Sequence, residues 1–193
     1  MKSVLISIQP KWCELIANGK KTVEVRKTKP KLDVPFKCYI YCTKGGKGEQ
    51  MCFGKYTCRI GNGKVIGEFV CDRIDEIGKR GIYNNFDYCY LSLNEWGNDD
   101  IEIEITDIKK SCISKEELNL YGENSFCLYA WHISNLVIYD EPKELYEFLN
   151  YNKYQVCKEK DCFSDDCWIC PNNAILTKPP QSYCYIDVEK LGV

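Results

Sequence analysis

Apolar residues fall into short runs along the chain, and several of these runs have the composition of β-strands. The runs that we predict as strands are residues 3–8, 22–26, 36–42, 65–70 and 126–139. Residues 22–26 alternate polar and apolar side chains, which places Glu24 and Arg26 on one face of their strand. The turn at residues 61–63 predicts that the strand after it belongs to a hairpin. Isoleucines that alternate with acids predict a short edge strand at residues 101–105.

Short helices are predicted between these strands. Pro10 suits the first turn of a helix, and Gly19 ends it. Ser114 and Glu117 form the capping-box pair that opens a second helix. Apolar residues at helical spacing within residues 140–149 predict a further short helix.

The length and composition set bounds on the architecture. The chain has 193 residues, of which 45% are hydrophobic, and a formal net charge of -2. It is therefore long enough for one domain with a core of its own and a small appended module. No apolar run approaches the roughly 20 residues that span a bilayer, and the apolar stretch near the start is too short for a signal peptide. We expect a cytoplasmic protein that does not contact a membrane.

The small net charge conceals an asymmetry between the two parts of the chain. Residues 1–64 contain 14 Lys or Arg against 4 Asp or Glu, a net charge of +10, whereas residues 65–193 contain 12 against 24, a net charge of -12. Aromatic residues such as Trp12 and Tyr41 are interleaved with the basic ones. This composition is typical of surfaces that bind phosphates and bases together. The alternative is a solvated lysine-rich surface.

The 14 cysteines divide into two groups. Most lie singly among apolar residues, where a reduced thiol behaves as a small buried hydrophobe. The other group is a cluster of four thiols in a polar segment, Cys157, Cys162, Cys167 and Cys170. Four thiolates satisfy a tetrahedral Zn²⁺, which would supply folding energy to a segment without a core. The cluster predicts a structural zinc; free or transiently oxidised thiols are the alternative.

The segment from Gly19 to Arg26 combines several side chains that can bind a ligand or take part in catalysis. Lys21 can bind an anion or polarise a carbonyl, Arg26 can clamp a phosphate or a polar edge, and Glu24 can orient either or accept a proton. Strict alternation would point Lys21 away from the other two, so the three converge only if the chain bends near Lys21. The alternative is an exposed strand whose ion pairs are worth at most about 1 kcal/mol.

Gly19, Lys21, Glu24 and Arg26 match the signature Gly-x-Lys-x-x-Glu-x-Arg, and through it the chain resembles the ASCH domain family, a branch of the PUA-like superfamily of β-barrels. The resemblance covers residues 1–149 and leaves residues 150–193 as a cysteine-rich extension. It implies an α+β fold in which a mixed PUA-like β-barrel carries flanking short helices. It also implies a cavity near the signature that recognises RNA or a modified nucleobase.

The resemblance also raises an enzymatic alternative. Some members of the family are amidohydrolases acting on acylated cytidine, and their reacting groups are similar to Lys21, Glu68 and a threonine at the position of Glu24. Because Glu24 replaces the hydroxyl nucleophile, this chain cannot repeat the threonine chemistry. Ribonuclease activity, also linked to the family, would need the base and cations that Glu24, Lys21 and Arg26 offer. We expect the single histidine, His132, to be structural.

These observations favour a binding protein for RNA or a nucleotide-like ligand. The residues that we expect to contact the ligand are Trp12, Lys20, Lys21, Glu24, Arg26 and Tyr41. Lysines would hold phosphates, and an aromatic side chain would stack on a base. A hydrolase with Lys21, Glu24 and Glu68 in its active site is the second hypothesis. An adaptor whose acidic part engages a basic protein is the third.

Overall fold

The computed structural model describes residues 2–46, 52–53, 59–82, 85–88, 106–159 and 174–187. In chain order the strands and helices are β1 (Lys2–Ile8), α1 (Pro10–Ala17), β2 (Val23–Arg26), β3 (Phe36–Cys42), β4 (Cys52–Phe53), β5 (Arg59–Ile60), β6 (Val65–Cys71), β7 (Ile74–Ile82), β8 (Asn85–Tyr88), α2 (Thr106–Ser111), α3 (Lys115–Gly122), β9 (Cys127–His132), β10 (Ser134–Lys143), β11 (Leu149–Asn150), α4 (Tyr151–Glu159) and β12 (Tyr183–Asp187).

The strands form a large mixed sheet and a smaller antiparallel one. The six-stranded sheet has the order β10-β6-β3-β1-β12-β11, and the four-stranded sheet has the order β2-β9-β7-β8. Within the large sheet β1 pairs parallel with β3, and the other pairs are antiparallel. The short strands β4 and β5 pair with each other. The predicted α+β class, with a barrel-like arrangement of sheets and a few short helices, is confirmed.

The main core lies between the two sheets. It combines residues from β1, β3 and β6 of the large sheet with Trp131 of β9 and Cys13 and Ile16 of α1. Side chains alternate along β3, so Cys38, Ile40 and Cys42 enter this core, whereas Tyr39 and Tyr41 enter a second cluster with Leu5, Val65, Leu145, Phe148, Leu176 and Ile186. The centre of the large sheet is therefore buried on both faces.

The predicted strand at residues 126–139 is wrong, because the chain changes sheets within it. β9 ends at His132 and pairs with β2 and β7, whereas β10 starts at Ser134 and pairs with β6. The break lies at Ile133, whose N–H donates to the Thr22 carbonyl. Asn135, within β10, has a left-handed φ of 47°, and the pairing of β10 with β6 shifts register between Ser134 and Val137.

Two further predictions about local structure are corrected. The turn at residues 61–63 does not close a hairpin, because β5 pairs with β4 and β6 pairs with β3 and β10. Only a single 3₁₀ turn, Leu145–Glu147, occurs where a helix was predicted over residues 140–149. Leu145 and Phe148 enter the second cluster while the chain continues directly into β11. The edge strand predicted at residues 101–105 lies outside the described residues.

The chain after residue 149 contributes to the same large sheet. β12 lies between β1 and β11, with Val4 opposite Tyr185 and Lys2 opposite Asp187. Ile186 is fully buried in the second cluster. The described part of the predicted extension is therefore packed on residues of the ASCH-like region.

The predicted zinc cluster cannot be located in the fold. Cys162, Cys167 and Cys170 lie outside the described residues, and for Cys157 only the backbone, in α4, is described. Within the ranges that are described, no group of three or more metal-ligating side chains occurs.

None of the helices in the described ranges has the length and hydrophobicity that a membrane crossing requires.

Candidate functional site

A sharp corner joins α1 to β2 and turns Lys21 inward. Gly19 has a φ of +68°, the left-handed conformation that glycine adopts without strain. The N–H groups of Lys20 and Lys21 both donate to the Leu15 carbonyl, at 2.9 and 3.1 Å. The bend that convergence of the signature requires is therefore present at the end of α1.

The three charged residues of the signature form one buried ionic cluster. Lys21 Nζ lies 3.2 Å from Glu24 Oε2, and Arg26 Nε lies 3.0 Å from Glu24 Oε1. Their exposed fractions are 1% for Lys21, 6% for Glu24 and 8% for Arg26. The alternative of an exposed strand with weak surface ion pairs is therefore wrong.

Each of the two cations also donates a hydrogen bond to a backbone carbonyl. Lys21 Nζ donates to the carbonyl oxygen of Ser111 in α2 at 2.6 Å, and Arg26 Nη2 donates to that of Ser7 in β1. Arg26 Nε is close to Glu24, but it makes no well-aligned hydrogen bond among the described residues. One buried guanidinium donor, next to the Glu24 carboxylate, thus retains hydrogen-bonding capacity.

A cavity of about 330 Å³ opens above this cluster. Glu24 and Arg26 line it from β2, Trp12 lines it from α1, and Tyr121 lines it from α3. The other residues that line it are Ser7, Ile8, Gln9, Lys11, Val25, Ile113, Glu117 and Leu120. The size is in the range of small-ligand pockets, and buried charges are combined with aromatic and aliphatic walls.

Two ammonium groups lie near the ring of Trp12. Lys11 Nζ lies 4.2 Å and Lys21 Nζ 5.0 Å from the centroid of its ring, distances at which cations are attracted to an aromatic face. Lys11 also pairs with Glu117 at 2.8 Å, and this hydrogen bond lowers the pKa of the Glu117 carboxyl. An ion pair therefore connects α1, which forms one wall of the cavity, to α3.

The helix α3 brings a second aromatic side chain to the cavity. The predicted capping box is confirmed: Glu117 N–H donates to Ser114 Oγ at 3.1 Å, and Ser114 N–H donates to Glu117 Oε2 at 3.2 Å. One turn after Glu117, Tyr121 is 38% exposed, and burial of its ring raises the pKa of its hydroxyl. Tyr121 thus offers part of a ring face at the cavity rim.

Some of the predicted ligand contacts are corrected by the structure. Tyr41 is 2% exposed and lies in the second cluster, on the other face of the large sheet, so it is not available for stacking. Lys20 is exposed on the corner and does not line the cavity. Trp12, Glu24 and Arg26 line it directly, and Lys21 lies behind Glu24.

Glu68, the third residue of the enzymatic alternative, is held elsewhere. Its carboxylate accepts from Lys37 Nζ and from the Tyr139 hydroxyl, each at 2.7 Å, on the face of the sheet that carries Tyr39. Burial raises the pKa of Glu68, but the hydrogen bonds from Lys37 and Tyr139 outweigh it and lower the pKa. The structure does not bring Glu68 together with Lys21 and Glu24.

His132 lies outside the cavity and has structural contacts. Its Nδ1 lies 2.6 Å from Asp72 Oδ1, and its backbone N–H donates to the Arg73 carbonyl. The contact with His132 lowers the pKa of Asp72. These contacts agree with the structural role predicted for this histidine.

Sequence reasoning missed the contributions of Ser7, Ser111, Glu117 and Tyr121. Ser111 and Lys21 are 90 positions apart, and no local pattern reports a contact across that separation. The capping box did predict α3, and the ionisable side chains of that helix, Glu117 and Tyr121 among them, were the signal available in the sequence.

Comparisons with known proteins agree with this fold. The model of the ASCH domain family matches residues 6–157. A search of curated proteins finds no match. The crystal structure of ASCH from Zymomonas mobilis is 18% identical, with a TM-score of 0.54 over 97% of this chain and 89% of that chain. A tyrosine-to-phenylalanine mutant of it is also 18% identical, with a TM-score of 0.54 over 99% and 93%. At such identity the likeness is one of fold.

Proposed function

Because the chain belongs to the ASCH domain family, we propose that the cavity above Lys21, Glu24 and Arg26 binds a nucleobase of single-stranded RNA or a nucleotide-like ligand. The PUA-like fold of this family is often linked to RNA binding. The observation that carries the proposal is the burial of three charged groups behind and beneath a cavity with two aromatic walls.

The charge of the cluster favours an electron-rich ligand. Two cations, Lys21 and Arg26, share the single carboxylate of Glu24, so the cluster carries a net positive charge. Buried ion pairs add little stability compared with apolar residues of the same volume. We infer that these charges serve recognition, through a carbonyl, a ring nitrogen or a phosphate of the ligand.

The walls of the cavity suit an unpaired base. Trp12 and Tyr121 supply aromatic faces, and stacking of a base on such a face contributes about 1–3 kcal/mol. Arg26 offers donors and Glu24 offers acceptors, the combination found on the polar edges of bases. A base in a duplex hides that edge in its pair, so the ligand that fits is single-stranded or free.

Tyr121→Ala is the sharpest test, because Tyr121 is partly exposed and its loss leaves the buried cluster intact. We expect the affinity for a mixed-sequence RNA of about 12 nucleotides to fall roughly 5- to 150-fold, the equivalent of one stacking interaction. Fluorescence anisotropy with labelled RNA measures the change. Tyr146→Ala, on a tyrosine that is 65% exposed in the 3₁₀ turn, is the matched control and leaves affinity unchanged.

Two outcomes would overturn the proposal. One is wild-type protein that binds neither the RNA nor any of the four nucleoside monophosphates. The other is an equal loss of affinity in the Tyr121 and Tyr146 variants. Conversion of an acylated nucleoside by the wild-type protein, abolished in Lys21→Ala, would instead favour the hydrolase alternative.

A further inference from the structure

We propose that a basic strip made of Lys2, Lys27, Lys29 and Lys31 carries the sugar-phosphate backbone of an RNA strand away from the cavity. The inference rests on the proposed function and extends it from one base to a strand. Three of the four lysines lie in the loop between β2 and β3, and all three are exposed.

The strip begins at the rim of the cavity. Lys27 directly follows Arg26, which lines the cavity from the end of β2. Lys27 Nζ lies 5.2 Å from the ring centroid of Tyr121, the aromatic residue at the rim. A strand whose base occupies the cavity therefore meets Lys27 as its first neighbouring cation.

The loop that carries the strip is fixed to the core by two tyrosines of β12. The Tyr183 hydroxyl donates to the Lys29 carbonyl at 2.9 Å, and the Lys31 N–H donates to the Tyr185 hydroxyl at 2.7 Å. The Tyr183 ring packs against fully buried Trp131, with 5.5 Å between the ring centroids. Fixed backbone positions hold the lysines at set spacings, which lowers the ordering cost of binding.

The strip continues past the loop to Lys2 on β1. Lys2 Nζ lies 4.0 Å from the centroid of the Tyr185 ring, the same residue that accepts from Lys31. Within the described residues, Lys29 is the one lysine of the four that pairs with an acidic side chain, that of Glu76. Lys27 and Lys31 make no ion pair within the described residues, and the nearby acids are Asp33, exposed in the same loop, and Asp187, opposite Lys2 in the sheet. The lysines are interleaved with tyrosines, the composition that nucleic-acid surfaces share.

The test compares a loop variant with a matched control. In Lys27→Gln/Lys29→Gln/Lys31→Gln, three exposed cations are removed and no residue that lines the cavity is replaced. Lys44, Lys109 and Lys153 are also exposed and lie outside the strip, so their triple glutamine variant has the same change in charge. The probes are a labelled mixed-sequence RNA of about 12 nucleotides and the four nucleoside monophosphates.

Salt dependence gives the expected result. Each phosphate of a single strand that a lysine no longer neutralises reduces the slope of log K against log salt by about 0.7, so the removal of three such lysines reduces it by about 2. The fall in RNA affinity between about 50 and about 200 mM salt then becomes roughly 16-fold smaller in the loop variant. In the loop variant we expect a smaller loss of affinity for the monophosphates than for RNA, because a monophosphate in the cavity meets Lys27 but not the rest of the strip. We expect an unchanged slope in the control.

A second variant tests the fixation of the loop. Tyr183→Phe/Tyr185→Phe removes both hydroxyls and retains every cation. We expect weaker RNA binding with an unchanged salt slope, because the charges remain but their spacing is no longer set. If this variant binds RNA with wild-type affinity, the hydrogen bonds from β12 to the loop do not contribute to RNA binding.

The outcomes separate the strip from the proposed function. An unchanged salt slope in the loop variant, or equal slope changes in the loop and control variants, would overturn the strip. A loop-dependent slope together with no effect of Tyr121→Ala and no monophosphate binding would retain the strip and overturn the cavity proposal. Binding of an acidic peptide, but not RNA, through the three lysines would overturn both.

Discussion

The Lys21 ammonium and the Glu24 carboxylate lie 3.2 Å apart across the corner between α1 and β2, with both side chains buried. The same carboxylate also contacts Arg26. Among the described residues, Glu24 is therefore the one counter-charge of two buried cations, and we expect the stability of the domain to depend on it.

Replacing Glu24 with glutamine tests this dependence. Glu24→Gln keeps the volume but leaves two buried cations without a carboxylate, so the free energy of unfolding should fall by about 3–5 kcal/mol. Urea denaturation followed by circular dichroism measures it. The control Glu14→Gln, on the exposed side of α1, should change it by about 0.5 kcal/mol or less. A loss as small as the control's would contradict the role assigned to Glu24.

Gly67 is required where β6 approaches β10. A Cβ at this position would clash with the backbone carbonyl oxygen of Val137, which cannot move aside as a flexible side chain can. We expect Gly67→Ala to destabilise the protein by about 1–3 kcal/mol or more. Thermal unfolding of the variant measures the effect.

Gly19 provides the contrast, because its requirement is conformational. A Cβ there meets nothing within 4 Å, but the φ is +68°. Gly19→Ala should lower the free energy of unfolding by about 1–2 kcal/mol, as measured by urea denaturation. Gly19→Asn should lower it less, since asparagine tolerates the left-handed region. Rescue by asparagine at Gly67 would contradict the steric explanation given for that position.

The contacts of Glu68 predict a pH dependence of stability. Its pKa in the folded state lies below the usual 4.5, because the hydrogen bonds from Lys37 and Tyr139 outweigh the opposing effect of burial. Its contribution is therefore fully present above the unfolded pKa and is lost as the pH falls through the folded pKa. Glu68→Gln should lose less stability than wild type between pH 6 and about pH 3, as measured by urea midpoints. Parallel curves for the two proteins would rule out this contribution.

The buried cysteines predict selective reactivity. Cys13, Cys38 and Cys71 are fully buried, and burial raises the pKa of each thiol, so little thiolate forms at neutral pH. Iodoacetamide should modify them only after unfolding, whereas partly exposed Cys112 reacts in the native protein. Peptide mass spectrometry locates the modified thiols. Native modification of Cys38 at the rate of Cys112 would refute the prediction.

The cysteine cluster of the sequence predicts about one zinc per chain. Elemental analysis of protein purified without added metal gives the content, and Cys167→Ser/Cys170→Ser should lose the metal. The double variant Cys112→Ser/Cys127→Ser, with thiols outside the cluster, is the control and should retain it. Zinc-free wild-type protein would contradict this prediction and favour the alternative of four thiols without a metal.

Sequence reasoning succeeded where the determining contacts are local. The signature, the end of α1 at Gly19 and the capping box at Ser114 each lie within a few residues. The resemblance to the ASCH family rests on the signature, and the family model matches residues 6–157. Prediction from the sequence failed where a strand carries apolar side chains on both faces. Tyr41 lies in a strand that is buried on both faces, so alternation could not say which face meets the cavity.

The break between β9 and β10 was missed for a related reason. Ile133 is apolar and buried, and neither glycine nor proline marks the switch between sheets. The pairing partners of β9 and β10 decide it, and those partners are distant in sequence. The position of Ser111 beside Lys21 depends on the same kind of long-range contact.

The place of β12 between β1 and β11 has a consequence for the synthesis of the protein on the ribosome. β1 is synthesised long before β12, its antiparallel neighbour in the sheet. Until β12 has been synthesised, one edge of β1 therefore stays open, and open strand edges pair readily with other chains. Nascent chains stalled before β12 should be the species that aggregates or occupies chaperones, and the addition of β12 closes the edge.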